Sequence, residues 1–367
     1  MSAERTGPVR TTLVVVFGGR SPEHDVSCST ARHVIGSVDP QRYAVTAVGI
    51  DRGGQWHSVD VTDLVGRPAA VGSGGVDDPG LAAAGPVVEP ATAVGGIGSD
   101  AVVLPLLHGP FGEDGAMQGL LEMLDVAYVG SGVLGSALAM DKAMAKTVCA
   151  AAGIPQARHL VLMGSRSDGA LIARIEAAFG FPCFVKPANM GSSVGVSRVA
   201  DATTLAAAVA EARRFDPVVV VEEAITGREL EVAVLGGDEP EAFGPGEVIA
   251  DAEFYDYSAK YLSGGSRTVI PAEVPPGVAA AARRLALEAF DVLRCEGLAR
   301  CDFFLADDGR GLLLNEVNTM PGFTPISMFP MMAIDGGVPY PAIIDRLVEL
   351  ALLRHHRRGA LAHRSSG

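Results

Sequence analysis

Asp302 lies in ARCDFFLAD, and Glu316 and Asn318 lie in LLLNEVNTMPG. Both stretches read as strands, at 297–305 and 311–318, and residues two apart on a strand share a face. Glu316 and Asn318 therefore point the same way from an otherwise apolar strand. Two carboxylates and an amide oxygen form a hard, all-oxygen set. It suits Mg2+, which takes one or two carboxylates and leaves its other positions to phosphate and water. A polar strand end facing solvent is the plainer reading of Glu-x-Asn alone. The apolar run at 312–314 and the Asp302 strand favour a cation, because carboxylates in an apolar sheet need a counter-charge.

Lys186 closes the short apolar strand of FPCFVKP, and ANMGSSVGV (188–196) follows it. Small residues let backbone N–H groups approach an anion closely. Alone, such a loop reads as a hairpin; with a lysine on the preceding strand it reads as a nucleotide phosphate site. Only four of the 29 basic residues are lysines (Lys142, Lys146, Lys186 and Lys260), so each is a candidate for a specific task. No G-x-x-x-x-G-K-[ST] occurs, and no G-x-G-x-x-G follows the first strand, so a P-loop is excluded and a dinucleotide fold has little support. Glu222 and Glu223 end PVVVVEE, and Glu229 follows in TGRE; they read either as ribose contacts or as exposed strand-end charges. Tyr255, Tyr257, Lys260 and Tyr261 share one polar loop, 251–268, which has the look of a lid, a packed aromatic patch being the alternative. Glu23, His24 and Asp25 follow the first strand, and His108, Glu113 and Asp114 follow another. In open α/β sheets ligands bind at that carboxyl edge, although isolated residues there are more often caps and turn formers.

The elements that must position these residues come in three groups. Residues 12–17 (TLVVVF) form a doubly buried strand. A helix from Ser21-Pro22 to about Val38, a strand at 43–50 and a strand at 101–107 follow, the last leading through HGPFGEDG into a helix to Leu124. Residues 66–99, rich in Gly, Ala and Pro, read as a long surface excursion. A helix is expected at 134–152. A second group has helices at 168–179 and 202–214 and strands at 183–186, 194–199 and 217–222. The third has strands at 228–236, 244–250, 297–305 and 311–318 and helices at 277–294 and 340–354. RELEVAVLG (228–236) alternates as a half-buried antiparallel strand should. The basic end, RHHRRGALAHRSSG, reads as a solvated, frayed tail. Parallel α/β first and two α+β pieces after it differ from a single Rossmann sheet.

Composition sets the boundaries. At 367 residues the chain is long enough for two or three domains. Hydrophobic residues at 48% and charged ones at 20% argue against disorder. A formal net charge of −14 lacks the footprint of a nucleic-acid binder. Mean hydropathy is +0.29, yet the longest charge-free runs, 126–140 and 317–334, are broken by Gly or Pro and do not resemble membrane spans. The apolar run at 13–17 is too short for a signal-peptide core. Five scattered cysteines with no C-x-x-C read as reduced thiols, and the expected location is the cytoplasm.

Taken together, FGGRSPEHDVS, HGPFGEDG, MDKAMAK, FVKPANMGSSVGVS, EEAITGRELEVAV, YDYSAKY, ARCDFF and NEVNTMPGFTPISM, in this order, resemble the D-alanine–D-alanine ligases of the ATP-grasp superfamily over about residues 12–350. The resemblance implies an α/β preATP-grasp domain (1–140) followed by an ATP-grasp fold of two α+β subdomains (141–226 and 227–367). It implies ligation of two D-alanines through an acylphosphate, supplying peptidoglycan precursors. Lys142, Lys186 and Ser193 would meet ATP phosphates under the 191–195 loop, Glu222 the adenine side and Glu229 the ribose. Lys260 would reach the γ-phosphate from the lid. Asp302, Glu316 and Asn318 would hold two Mg2+ (or Mn2+). Arg300 and the Gly322 N–H would steady the oxyanion. Glu23 would bind the first D-alanine's ammonium, in a network with Ser192 and Tyr261, and Tyr261 would orient rather than act as a base. His108, Ser327 and Met328 would complete the substrate site, the last two at the second D-alanine's carboxylate. A homodimer is implied by analogy, with neither nucleic acid nor membrane as partner. The rivals are an ATP-grasp ligase for another carboxylate–amine pair and a nucleotide sensor without turnover.

Overall fold

The computed structural model describes residues 10–68, 80–95, 101–164, 170–250 and 266–361. Lys260 and Tyr261, with the expected lid up to residue 265, lie outside the described residues.

The first unit runs β1 (Thr11–Gly18), α1 (His24–Ser37), β2 (Tyr43–Ile50), β3 (Trp56–Val59), α2 (Pro90–Gly95), β4 (Ala101–Leu106), α3 (Ala116–Met123) and β5 (Ala127–Tyr128). Its sheet has the order β3-β2-β1-β4-β5, with β2 and β4 parallel to β1, β5 parallel to β4 and β3 antiparallel at the edge. Residues 13–17 are fully buried, as their apolar, β-branched run requires. The loops after β1 and β4 therefore leave one edge side by side. Ser27 pins them together: its Oγ accepts from the Gly18 N–H at 2.8 Å and donates to the Leu106 carbonyl. α1 starts at His24, later than the expected Ser21, because Ser21-Pro22-Glu23 forms a turn in which Ser21 Oγ accepts from the Glu23 N–H at 3.1 Å. Part of the 66–99 excursion is packed rather than loose: α2 buries Val94, and Val87 bridges His57.

The single helix expected at 134–152 is two: α4 (Val133–Met140) and α5 (Lys142–Ala151). Asp141 breaks it. Its extended backbone (φ −79°, ψ 99°) lets the carboxylate accept from the Ala143 and Met144 N–H groups at 2.9 and 3.0 Å, an N-cap that starts a new helix. A second sheet follows, built from β6 (His159–Leu162), β7 (Cys183–Pro187), β8 (Ser197–Val199) and β9 (Val219–Glu223) in the order β6-β9-β7-β8, all antiparallel. α6 (Leu171–Ala178) and α7 (Leu205–Ala212) supply its core through Leu171, Ile175, Leu205 and Ala212.

The third sheet has the order β12-β11-β10-β13-β14, also antiparallel: β10 (Gly227–Gly236), β11 (Glu241–Ala250), β12 (Ser266–Val269), β13 (Gly297–Ala306) and β14 (Gly311–Asn318). α8 (Pro276–Val292) covers one face, against Leu230, Val232 and Val234. α9 (Met328–Asp335) and α10 (Tyr340–Gly359) cover the other, where Ala233 and Leu235 share a core with β1 and α1. β10 thus alternates only in its first half; from Val232 onward it is buried on both faces. α10 also corrects the frayed-tail reading as far as Gly359, to which it stays helical; residues 362–367 of that tail lie outside the described residues. Arg354 stacks its guanidinium 4.2 Å over the Tyr128 ring and donates to the Tyr128 carbonyl at 2.7 Å and to the Gly130 carbonyl. Among the described residues no helix is long and apolar enough to cross a membrane.

Candidate active site

Three neighbouring strands bring the carboxylates together. Antiparallel register sets Asp302 of β13 opposite Glu231 of β10 on one side and Glu316 of β14 on the other, and sets Arg300 opposite Asn318. Arg300 donates to both Asp302 oxygens at 2.7 Å and lies 3.1 Å from Glu231. Burial would lower the Arg300 pKa, but Asp302 and Glu231 outweigh it and hold the guanidinium firmly charged. Asn318 Nδ2 donates to Asp302 at 3.0 Å. Among the described residues no three His, Cys, Asp or Glu side chains converge as a ready-made metal cage. The set is two carboxylates and an amide, which suits an ion that keeps positions for phosphate oxygens. A half-turn of the Asn318 amide puts its oxygen beside Asp302 in place of its nitrogen. Arg300 and Lys142 lie among these acids, so the donor set fits Mg2+ carried in with a polyphosphate.

The lysines approach from the second sheet and the helix before it. Lys142 opens α5; its Nζ donates to the Met190 carbonyl at 2.6 Å and sits 3.8 Å from Glu316. Lys186, on β7, donates to Glu222 at 2.9 Å and to Asn315 Oδ1 at 3.4 Å. The second and third sheets therefore meet through lysines on one side and a carboxylate and an amide on the other. Glu222 is also paired with Lys146 at 3.3 Å. Burial alone would raise the Glu222 pKa; Lys146 and Lys186 hold it down at about 2. Burial lowers the Lys146 pKa, whereas the Lys186 pKa is raised against burial by Glu222. Glu229, on β10, lies close enough to Lys186 to add to that effect.

The Gly/Ser loop is a chain of left-handed turns, which is why the strand expected from 194 begins only at Ser197. Ser192 and Ser193 have φ of 49° and 59° and Gly195 has 71°. Asn189 anchors its base, donating to Asp216 from backbone and side chain at 2.9 and 2.7 Å. At the tip, Ser192 Oγ donates to Glu23 at 2.5 Å, so two members of the expected Glu–Ser–Tyr network touch, while Tyr261 lies outside the described residues. A Cβ added at Gly191 would come within 3.1 Å of the same carboxylate.

Two residues of the loop after β4 grip the backbone of one residue of the third group, on both sides of its Cα. His108 Nδ1 bonds the Met320 carbonyl at 3.0 Å, so this nitrogen carries the proton, and Glu113 accepts from the Met320 N–H at 3.0 Å and the Gly109 N–H at 2.7 Å. Burial, reinforced by the Glu23 charge, pushes the Glu113 carboxyl up to about 8. His108 Nε2 is buried with no hydrogen-bond partner among the described residues. Gly322 follows two residues after Met320, and Ser327 precedes α9, whose first residue is Met328. Ser327 Oγ accepts from the Thr324 N–H at 3.1 Å and lies 2.8 Å from Thr324 Oγ1.

Sequence reasoning left four site residues unassigned: Glu113, Lys146, Glu231 and Asn315. The alternation in RELEV, which puts Glu231 on the Glu229 face, and the i, i+4 spacing of Lys142 and Lys146 were the available signals.

A parallel α/β unit followed by two antiparallel α+β units, with lysines of one meeting side-chain oxygens of the other, defines an ATP-grasp ligase. The family model described as D-ala D-ala ligase N-terminus matches residues 12–131, and that described as D-ala D-ala ligase C-terminus matches 148–349. The chain belongs to the D-alanine–D-alanine ligase family, and it is an ATP- and Mg2+-dependent enzyme. It is 44% identical to the D-alanine--D-alanine ligase of Geobacillus kaustophilus (strain HTA426), across 97% of this chain and 98% of that one. Its identity with the D-alanine--D-alanine ligase of Kineococcus radiotolerans is 46%, across 93% and 96%. The D-alanine-D-alanine ligase structure from Coxiella burnetii superposes with a TM-score of 0.80 at 33% identity, across 96% of this chain and 97% of that one. VanG D-Ala:D-Ser ligase from Enterococcus faecalis gives 0.77 at 30%, across 94% and 100%.

Proposed function

We propose that this chain joins two D-alanine molecules into D-alanyl-D-alanine at the expense of ATP, for peptidoglycan precursor synthesis. The observation that carries the reading is the meeting of Lys142 and Lys186 with Glu316 and Asn315, at 3.8 and 3.4 Å, beside Asp302 and Asn318. Lys142, Lys186 and Ser193 hold the phosphates, Glu222 lies on the adenine side and Glu229 holds the ribose. Glu23, oriented by Ser192, takes the ammonium of the first D-alanine. An oxygen of its carboxylate attacks the γ-phosphorus, ADP leaves, and an acylphosphate forms. Asp302, Glu316 and Asn318 would hold two Mg2+ (or Mn2+) ions, whose chemistry would be neutralisation of phosphate charge. The second D-alanine is received by Ser327 and the Met328 backbone. Its deprotonated amine attacks the acyl carbon, a tetrahedral oxyanion is steadied by Arg300 and the Gly322 N–H, and phosphate departs. His108 and Glu113 fix the backbone of Met320, and with it the loop that carries Gly322. Lys260 and Tyr261 complete the site from the lid, Lys260 at the γ-phosphate and Tyr261 as an orienting group.

The related fold of a D-Ala:D-Ser ligase makes the second substrate the point to test. The purified chain is given Mg-ATP and D-alanine, alone and with D-serine or D-lactate, and phosphate release and products are measured. D-alanine-dependent phosphate release with D-alanyl-D-alanine as the main product is expected. Release independent of D-alanine, or a mainly mixed dipeptide or ester product, would overturn the reading. The proposal extends to the cytoplasm as location, which the five buried thiols support because they would stay reduced there, and to a homodimer, which light scattering would test by a mass twice that of the chain.

A further inference from the structure

We propose that Lys146 is a positioning residue that frees Lys186 for the nucleotide, by serving as the second counter-ion of Glu222. The proposal rests on the phosphate role given to Lys186 above.

Glu222 is the penultimate residue of β9, with its side chain 3% exposed, and its two oxygens face lysines from different elements. Lys186 of β7 holds Oε2 in a hydrogen bond of 2.9 Å. Lys146 of α5, 4% exposed, stands 3.3 Å from Oε1 as an ion pair without an aligned hydrogen bond; Lys146 Nζ and Glu222 Oε1 are both buried with no hydrogen-bond partner among the described residues. With Lys186 alone, the pair would be self-contained. Turning Lys186 toward a phosphate would strand a buried carboxylate, and a buried charge stripped of its partner is strongly unfavourable. Lys146 removes that obstacle. When Lys186 leaves, Glu222 keeps an ammonium close by, with capacity to tighten the bond.

The same triad carries one positive charge in excess in a poorly solvated place, which favours an incoming anion. Lys146 acts on the nucleotide only through Glu222. It lies one helical turn beyond Lys142, and its main-chain carbonyl accepts from Gln156 Nε2 at 2.7 Å, which holds that turn in place.

The test is a double-substitution cycle read by ATP affinity (calorimetry with a non-hydrolysable ATP analogue and Mg2+) and by the KM for ATP, the KM for D-alanine and kcat. Lys146→Met is expected to weaken ATP about tenfold or more while the KM for D-alanine changes less than about threefold, and Lys146→Arg is expected to restore most of the loss. In the Glu222→Gln background, Lys146→Met should add no further loss of ATP affinity, because the charge it served is gone. Unchanged affinity in Lys146→Met, equal damage from Lys146→Arg, or a full further loss in the Glu222→Gln background would each overturn the proposal. If Lys146→Met does not fold, the Glu222→Gln comparison, with no buried carboxylate left to strand, decides alone. Turnover of the wild-type enzyme with D-alanine is run in parallel. Its failure would remove the ligation reading without touching the nucleotide-affinity cycle.

Discussion

Lys186 holds Glu222 and Asn315, and in the proposed function it turns from them to a phosphate, so its removal should fall on the nucleotide. Lys186→Ala is expected to stay folded, because Lys146 remains beside Glu222, and to weaken ATP binding by about 10–100-fold, the range of a lost charge-assisted contact. Calorimetry with an ATP analogue checks this, and an unchanged affinity would take the lysine out of the site. Asn318→Ala removes one of the three residues proposed to hold Mg2+ and should raise the Mg2+ concentration for half-maximal activity with the KM for D-alanine little changed. A Mg2+ titration of phosphate release measures it. The placement of these residues was legible, because strand periodicity alone puts Glu316 and Asn318 on one face, and because a lysine ending an apolar strand demands an anion, here Glu222. Glu231, Asn315 and Lys146 were not, since their roles arise from cross-strand register and from helix-to-sheet packing. Spacing within one segment gives the face that Glu231 and Lys146 share with Glu229 and Lys142, but not the partners they meet there.

At the scale of elements, the joint between the second and third sheets rests on more than the active site. Glu223, the last residue of β9, accepts from the Arg158 N–H, Nε and Nη2 at 2.8, 2.8 and 2.6 Å, and from Arg310 Nη1, beyond β13, at 2.5 Å. Burial would raise its pKa; Arg158 and Arg310 reverse this and keep it below the ordinary glutamate value. Because the folded-state value is depressed, the stabilisation is full at neutral pH and is lost as pH falls through the acid range. Glu223→Gln is therefore expected to lose about 1–3 kcal/mol at pH 7 and to show a shallower loss of stability below about pH 4.5 than the wild type. Urea unfolding across pH 3–7 checks both. Strands were the most legible elements: 43–50 and 311–318 match β2 and β14 to the residue. The helix at 134–152 was misjudged because Asp141 sits inside an unbroken Ala-rich pattern, where an N-cap competes with continuation and only the backbone angle tells which won.

Across the whole molecule, the chain's end returns to its beginning. Phe323, Phe329, Ile344 and Leu347 share one core with Leu13, Val15 and Phe17, and Arg354 locks α10 against Tyr128 and Gly130. A basic terminal run reads as solvated until tertiary contacts claim it, and Arg354, with a side chain 12% exposed, is claimed. Arg354→Ala should cost about 2 kcal/mol or more, seen as a lower melting temperature, through the lost carbonyl contacts and the ring stack. That closure sets His108 and Glu113 of the first unit on the backbone of Met320 in the third, so the first unit borders the cluster to which the proposed function assigns the reaction. The most direct test of that centre follows an atom. With D-alanine labelled with 18O in its carboxylate, Mg-ATP and the enzyme, transfer to the γ-phosphorus predicts one 18O in each inorganic phosphate released alongside D-alanyl-D-alanine. Unlabelled phosphate formed together with the dipeptide would contradict the acylphosphate route and the account built on it.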